Sequence, residues 1–296
     1  MPATVPSSVI GQTEALRTLN IIAPSHVLLV GNPGMGKTHL ALWYAGQVND
    51  QRSDGTRPSK ILKLDAPKIA TIADKISAVS SYQGPVIIDE VQGLADAEVL
   101  YPLLDDEIAE GIGWARSVIL TTTDEGELPP ALISRLQLVA LSPYSLDELA
   151  QIAAQTGPRL PYRTRKTLAS LCHGSPRRTE IYARLLQSIG EKHRRIIQSS
   201  EVRGVMRYLG YPEGLNSREL QILKLIAEEP RSISTIAASM GTGLRTVKLW
   251  ETEMITAGLM TISSKGRSIT DEGRISLNRA IEYDYKQSDE MVVEEM

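Results

Sequence analysis

The sequence predicts a parallel α/β domain, then a small all-helical domain, then an α+β domain near the C-terminal end. Three observations carry that division. Across residues 1–142, short apolar runs of strand length alternate with helix-compatible runs, the pattern of a parallel sheet with crossover helices. Across 143–200 only helical periodicity is found, punctuated by Gly and Pro. Across 201–275 the order is helix, short helix, turn, helix, hairpin, and an acidic segment, 276–296, follows.

The first apolar run, Val27-Leu28-Leu29-Val30, leads into Gly31-Asn32-Pro33-Gly34-Met35-Gly36-Lys37-Thr38 and then a helix-compatible stretch over 39–48. A strand, a Gly-rich turn and a helix in that order form a phosphate cradle. Glycines allow positive φ and close backbone approach. Successive N–H groups then converge on phosphate oxygens at the positive end of a helix. In this pattern, the P-loop, Lys37 supplies a point charge for the β- and γ-phosphates of a nucleotide such as ATP, and the Thr38 hydroxyl can ligate Mg²⁺.

Composition narrows the reading. With 296 residues and 42% hydrophobic content, the chain can bury a sizeable core in two or three domains. It has no phenylalanine, so Leu, Ile and Val must fill that core. A formal net charge of −3 excludes a chain that is basic throughout, so any nucleic-acid contact must be a local surface. The one cysteine, Cys172, allows no intramolecular disulfide, fits a reducing compartment and reads as a small buried apolar residue. Four histidines and one cysteine make no zinc constellation, and His193 has no companion at ligand spacing. The segment Met1-Pro2-Ala3-Thr4-Val5-Pro6 lacks the layout of a signal peptide, and no apolar run approaches membrane-spanning length.

The remaining elements of the first domain follow in order. Val9-Ile10-Gly11-Gln12 opens it, with a helix to about Asn20, and Pro24-Ser25 punctuates the chain before the first strand. Residues 49–58 read as a polar surface loop, Ile61-Leu62-Lys63-Leu64 as a short strand, and 69–79 as a helix. Val86-Ile87-Ile88-Asp89-Glu90 is a continuous apolar run ending in two acids, as expected of a buried parallel strand with a reactive C-terminal edge. There Asp89 would help hold Mg²⁺ through water, and Glu90 would polarise an attacking water. The next strand, Ser117-Val118-Ile119-Leu120, ends in Thr121-Thr122-Thr123. A polar residue at that point could orient the water, or the threonines could be β-branched strand filler. Arg135, after Leu132-Ile133-Ser134, is either a solvated charge or an arginine finger for a neighbouring subunit's nucleotide. Leu138-Val139-Ala140-Leu141 is a further strand.

Taken together, Val9 to Gln12, the P-loop, Val86 to Glu90, Val99-Leu100-Tyr101-Pro102-Leu103-Leu104, Thr122-Thr123 and Ser134-Arg135 resemble an AAA+ ATPase. Within that superfamily the chain is similar to the RuvB-type branch-migration motors over about residues 8–275. The resemblance implies that Ile10 and Gly11 line the adenine pocket. It also implies that Thr123, with Thr122 the alternative, is the sensor-1 residue, and that Arg135 is the finger acting in trans. It implies a hexameric ring, duplex or branched DNA as partner, ATP and Mg²⁺ as cofactors, and a bacterial cytoplasm, or a phage protein in such a host. Two departures stand out. Gln92 replaces the usual His. Only Ile108 to Arg116 separates Asp105-Asp106-Glu107 from the next strand, too short for the hairpin that docks RuvA in the family, which argues against a RuvA-like partner.

In the helical domain, Ser145 with Asp147 and Glu148 starts a helix over 146–155, a second spans about 162–171, and Ser175-Pro176 starts a third. Arg177, at that third start, resembles a sensor-2 arginine reaching a γ-phosphate from the lid. Arg178 reads as a plain surface residue, and Tyr144 matches an adenine-side position. In the C-terminal domain, helices over 217–227, 233–239 and 244–257 precede a hairpin with the basic turn Lys265-Gly266-Arg267, a winged-helix order. Arg245, Lys248, Lys265 and Arg267 are the expected phosphate contacts, and nothing specifies a base sequence. The chain therefore reads as an ATP-driven DNA motor. The alternative class is an AAA+ switch, of clamp-loader, helicase-loader or transposition-regulating kind, acting on a protein partner.

Overall fold

A computed structural model describes residues 9–50, 61–66, 84–94, 96–104 and 117–294, with side chains as far as 282. The helix expected over 69–79 and the stretch 108–116 lie outside the described residues, as does the expected loop beyond Asp50. The chain divides into two compact units, Met1–Pro143 and Tyr144–Met296.

The first unit begins with α1 (Thr13–Ile22), which buries Ala15 and Leu19 four residues apart on one face. It is entered through two left-handed residues, Gly11 and Gln12, with φ of 67° and 56°. Gln12 accounts for its own strain by a two-way amide clamp. Its Nε2 donates to Ser142 O at 2.7 Å, and its Oε1 accepts from Ser142 N at 2.9 Å. The sheet is five parallel strands in the order β2-β3-β4-β1-β5. They are β1 (Val27–Val30), β2 (Leu62–Asp65), β3 (Val86–Asp89), β4 (Val118–Thr122) and β5 (Gln137–Ala140). β1 lies between β4 and β5, with Val30 paired to both Thr122 and Ala140. β1, β3 and β4 are buried almost throughout, which is why they read as unbroken apolar runs, and edge strand β2 alternates instead. Helix α2 (Lys37–Asp50) follows the glycine turn and packs Leu40, Ala41 and Tyr44 inward. Burying each large apolar side chain of this kind contributes about 1.5–3 kcal/mol before entropy is subtracted. Short helices α3 (Tyr101–Leu104) and α4 (Pro130–Ile133) place Leu103, Leu104 and Leu132 in a cluster with Leu28, Val86, Ile88, Val118 and Leu120 of the sheet.

The second unit carries two cores. The helical one joins α5 (Leu146–Thr156), α6 (Tyr162–Ser170) and α7 (Pro176–Lys192). Ser145 and Ser175 cap α5 and α7, as their sequence contexts predict. This core extends past residue 200, because Val202 and Met206 of α8 (Val202–Tyr208) are buried in it beside Leu168, Leu171 and Leu186. Cys172 lies in it too, and burial pushes its thiol up to about 12, as expected of a structural residue. The other core belongs to α9 (Ser217–Ile226), α10 (Ile233–Ser239), α11 (Leu244–Thr256) and the antiparallel hairpin β6 (Met260–Ser263) and β7 (Gly266–Ile269). Helix α12 (Asp271–Glu294) closes it with Leu277, so the acidic segment begins inside a helix and not after the last element. No helix among the described residues is long and apolar enough to cross a membrane.

Candidate functional site

The polar residues of the first unit meet at the C-terminal ends of β1, β3 and β4. Gly34 and Gly36 take φ of 79° and 88°. Gly31 packs so closely that a Cβ there would lie 3.1 Å from the Leu141 Cβ. That loop delivers Lys37 to the first position of α2 with only 5% of it exposed. Its Nζ donates to Gly31 O at 2.7 Å and Asn32 O at 3.3 Å, and lies 4.0 Å from Glu90 Oε1. Burial pushes the Lys37 pKa down, against the opposing charges of Glu90 and Asp89.

Asp89, the last residue of β3, is ringed by three donors. Thr38 Oγ1 donates to Oδ1 at 3.0 Å and Oδ2 at 2.8 Å, and Thr121 Oγ1 donates to Oδ1 at 2.5 Å. Lys63 Nζ stands 3.0 Å from Oδ2. Burial by itself would raise the Asp89 pKa. The hydrogen bonds from Thr121, Thr38 and Lys63, with the Lys63 charge, outweigh that and hold the carboxyl below its usual range. Glu90 turns out of the strand in a left-handed conformation, φ 56°, a strain held by its surroundings. Its N–H donates to Thr121 Oγ1 at 3.1 Å, so one hydroxyl serves both acids. Gln92 Nε2 donates to Glu90 Oε2 at 2.6 Å and to Thr123 Oγ1 at 2.9 Å. Thr123 is thus joined to the acid, whereas Thr122 turns its hydroxyl onto the backbone of Asp124 at 2.9 Å.

A nucleotide with Mg²⁺ fits these residues on two counts. A hydroxyl and a carboxylate in contact are the hard oxygen ligands that Mg²⁺ takes. The Oε1 of Gln92, on the side chain that bonds Glu90 and Thr123, is buried and has no hydrogen-bond partner, a polar atom without an internal use. No cluster of three His, Cys, Asp or Glu among the described residues could hold a metal by itself. Ile10 and Gly11 are half-buried beside the Gln12 clamp. Arg135 is exposed at the end of α4, its Nη1 donating to Ala131 O at 2.7 Å and its guanidinium 4.7 Å from the Tyr101 ring centre.

In the second unit Tyr144 is half-buried and Arg177 is exposed in the first turn of α7. Arg178 corrects the surface reading. Its guanidinium pairs with Glu219, and the two side chains are only 16% and 5% exposed. Burial would lower the Arg178 pKa, and the Glu219 charge reverses that to a rise. Glu219 also accepts from Asn216 N at 2.9 Å at the start of α9, so the pair ties the helical core to the winged helix.

Arg267 is a second correction. Its Nε donates to Glu251 Oε2 at 2.7 Å and its Nη2 to Oε1 at 3.2 Å, with 18% and 10% of the two side chains exposed. A guanidinium held by a bidentate partner inside the domain is a structural tie, a use that the expectation of a phosphate contact did not include. Gly266 fixes this corner: φ is 122°, and a Cβ would fall 2.6 Å from Arg231 O, where two backbone bonds join Arg231 and Arg267. Lys265 at the wing tip, and Arg245 and Lys248 on α11, are exposed as expected. Leu244 and Leu249 on the same α11 face are 50% and 66% exposed.

Sequence reasoning missed Lys63 and Arg178 as site or junction residues, and it named Thr121 only as one of three threonines at a strand end, the resemblance pointing to Thr123 or Thr122. The available signals were a lysine alternating with leucines beside the acidic strand, a threonine inside a buried strand, and a second arginine after Ser175-Pro176.

Residues 27–144 match the model of the ATPase family associated with various cellular activities (AAA), and residues 212–278 match that of the RuvB C-terminal winged helix domain. The Holliday junction branch migration complex subunit RuvB of Kosmotoga olearia is 30% identical over 280 residues, covering 84% of this chain and 78% of that protein. RuvB of Lactobacillus helveticus is 27% identical over 284 residues, covering 86% and 79%. The solved Thermotoga maritima RuvB Holliday junction branch migration motor superposes with a TM-score of 0.77 at 24% identity, over 93% of this chain and 98% of that one, a likeness of fold.

Proposed function

Because the chain belongs to the RuvB family of AAA ATPases, we propose that it is an ATP-driven motor on duplex or branched DNA, hydrolysing ATP at the strand-end site of a ring, hexameric as the resemblance implies. The observation that carries this reading is the convergence of Thr38, Asp89, Glu90 and the buried Lys37 in one unit, in a chain that also has a winged helix.

Bound Mg²⁺–ATP would supply the reactive γ-phosphorus and a cation that balances charge on the phosphates. Lys37, already desolvated, would exchange its carbonyl partners for phosphate oxygens, a stronger pairing for an ammonium out of water. Thr38 and Asp89 would hold the metal. Glu90 would orient a water and accept its proton, kept in place by Thr121 behind its N–H and by Gln92 on its carboxylate. Thr123, joined to Glu90 through Gln92, would report the state of the γ-phosphate. Ile10, Gly11 and Tyr144 would hold the adenine. Arg177 would reach the phosphates from the lid, and Arg135 would do so from the neighbouring subunit. The proposed DNA contacts are Lys265, Arg245 and Lys248, directed to the backbone. A RuvA-like partner is no part of the proposal, since the stretch before β4 is short.

The test is the ATPase rate against four-way junction, plain duplex and single-stranded DNA at two salt concentrations. Stimulation by junction or duplex that weakens with salt is expected, because phosphate contacts release counterions. No stimulation by any DNA would contradict the motor and favour a nucleotide switch acting on a protein.

A further inference from the structure

The Lys63–Asp89 pair carries an inference that rests on the nucleotide-site reading above. Lys63 sits on edge strand β2, in parallel register with Ile87, two residues before Asp89 on the neighbouring strand. Residues two apart share a face, so the lysine stem runs along the sheet edge to the carboxylate. Its ammonium stops 3.0 Å from Oδ2, the oxygen that also accepts from Thr38 at 2.8 Å. Thr38 and Asp89 are the pair proposed to hold Mg²⁺. The ammonium therefore occupies the edge of Asp89 that a divalent cation would approach. One third of the Lys63 side chain is exposed, 34%, so it can withdraw into water without leaving a buried charge behind.

We infer that Lys63 is a tethered competitor for the divalent cation: a positioning residue that neutralises Asp89 between turnovers and lowers the affinity of the site for the metal. Two cations close to one carboxylate repel, so metal binding must displace the ammonium or bear its field. Methionine has a similar stem and no charge, and arginine keeps the charge. The two substitutions separate electrostatics from packing.

The experiment uses the full chain with ADP and titrates Mn²⁺ by the loss of its free electron paramagnetic resonance signal. Lys63→Met should bind Mn²⁺ on the order of tenfold more tightly than the wild type, an effect of one nearby charge that shrinks in high salt. Lys63→Arg should stay close to the wild type. Equal or weaker Mn²⁺ binding by Lys63→Met overturns the inference. So does a loss of affinity for a fluorescent ADP analogue without divalent cations, which would place Lys63 on the phosphates. If the wild type binds ADP but no Mn²⁺, the metal-site reading itself fails, and the inference falls with it.

Discussion

The strand-end site and the wing both collect charged residues, and they use them in opposite ways. At the strand ends, Lys37, Asp89, Glu90, Thr121 and Gln92 are joined to one another in a buried or half-buried web at the C-terminal edge of the sheet. At the wing, the residue that looked equivalent to its neighbours, Arg267, is withdrawn into an ion pair with Glu251, while Lys265 one turn residue away is left to solvent. A buried charge must find a partner, and within a folded domain that partner is as often structural as functional. Burial with convergence on one point marks a site. Burial with a single internal partner marks a joint, and Arg178 with Glu219 is the same device in the same unit.

Substitutions can break this distinction. The largest effect on stability should come from Arg267→Ala, which leaves Glu251 buried without its partner. A loss of about 2–3 kcal/mol is expected in denaturant unfolding, below the full figure for a buried pair because both groups keep some exposure. A smaller effect concerns pH. His173 Nε2 donates to the Glu213 carbonyl O at 3.0 Å at the junction of the helical core and the winged helix, and burial lowers the His173 pKa. The folded state thus disfavours the proton that the unfolded chain takes up near pH 6.5. Stability is fully present above that pH and falls as pH drops below it. The melting temperature should be lower at pH 5.5 than at pH 7.5, and the gap should narrow in His173→Asn, a residue that tolerates the left-handed φ of 48° found there. Lys265→Ala should be the mildest, with stability unchanged within about 0.5 kcal/mol. Its effect should show in DNA binding alone, as a salt slope lower by about one. A stability loss in Lys265→Ala matching that of Arg267→Ala would erase the distinction between joint and contact.

Most of the fold is legible in the sequence, because its signals are local. Glycines mark the turn that places Lys37, and Ser145 and Ser175 mark helix starts. The unbroken runs of β1, β3 and β4 announce strands buried on both faces. The P-loop and the two acids are legible for the same reason: phosphate chemistry demands fixed residue types at fixed spacing. What could not be read depends on register and on partners distant in sequence. Lys63 reaches Asp89 only because β2 lies beside β3. Thr121, in place of its two neighbours, meets Asp89 because the strand pleat turns it that way, 32 residues along the chain. Arg178 and Arg267 are indistinguishable by composition from Arg177 and Lys265 until Glu219 and Glu251 are placed against them.

The central claim is that the strand-end web hydrolyses ATP with Glu90 as the group that activates water. The most direct measurement compares ATP binding and steady-state hydrolysis in the wild type and in Glu90→Gln, which keeps the shape and the Gln92 contact while removing the base. Hydrolysis should fall by at least about a hundredfold, the usual contribution of a positioned general base, with ATP affinity changed little. Equal hydrolysis by the two proteins would contradict the assignment.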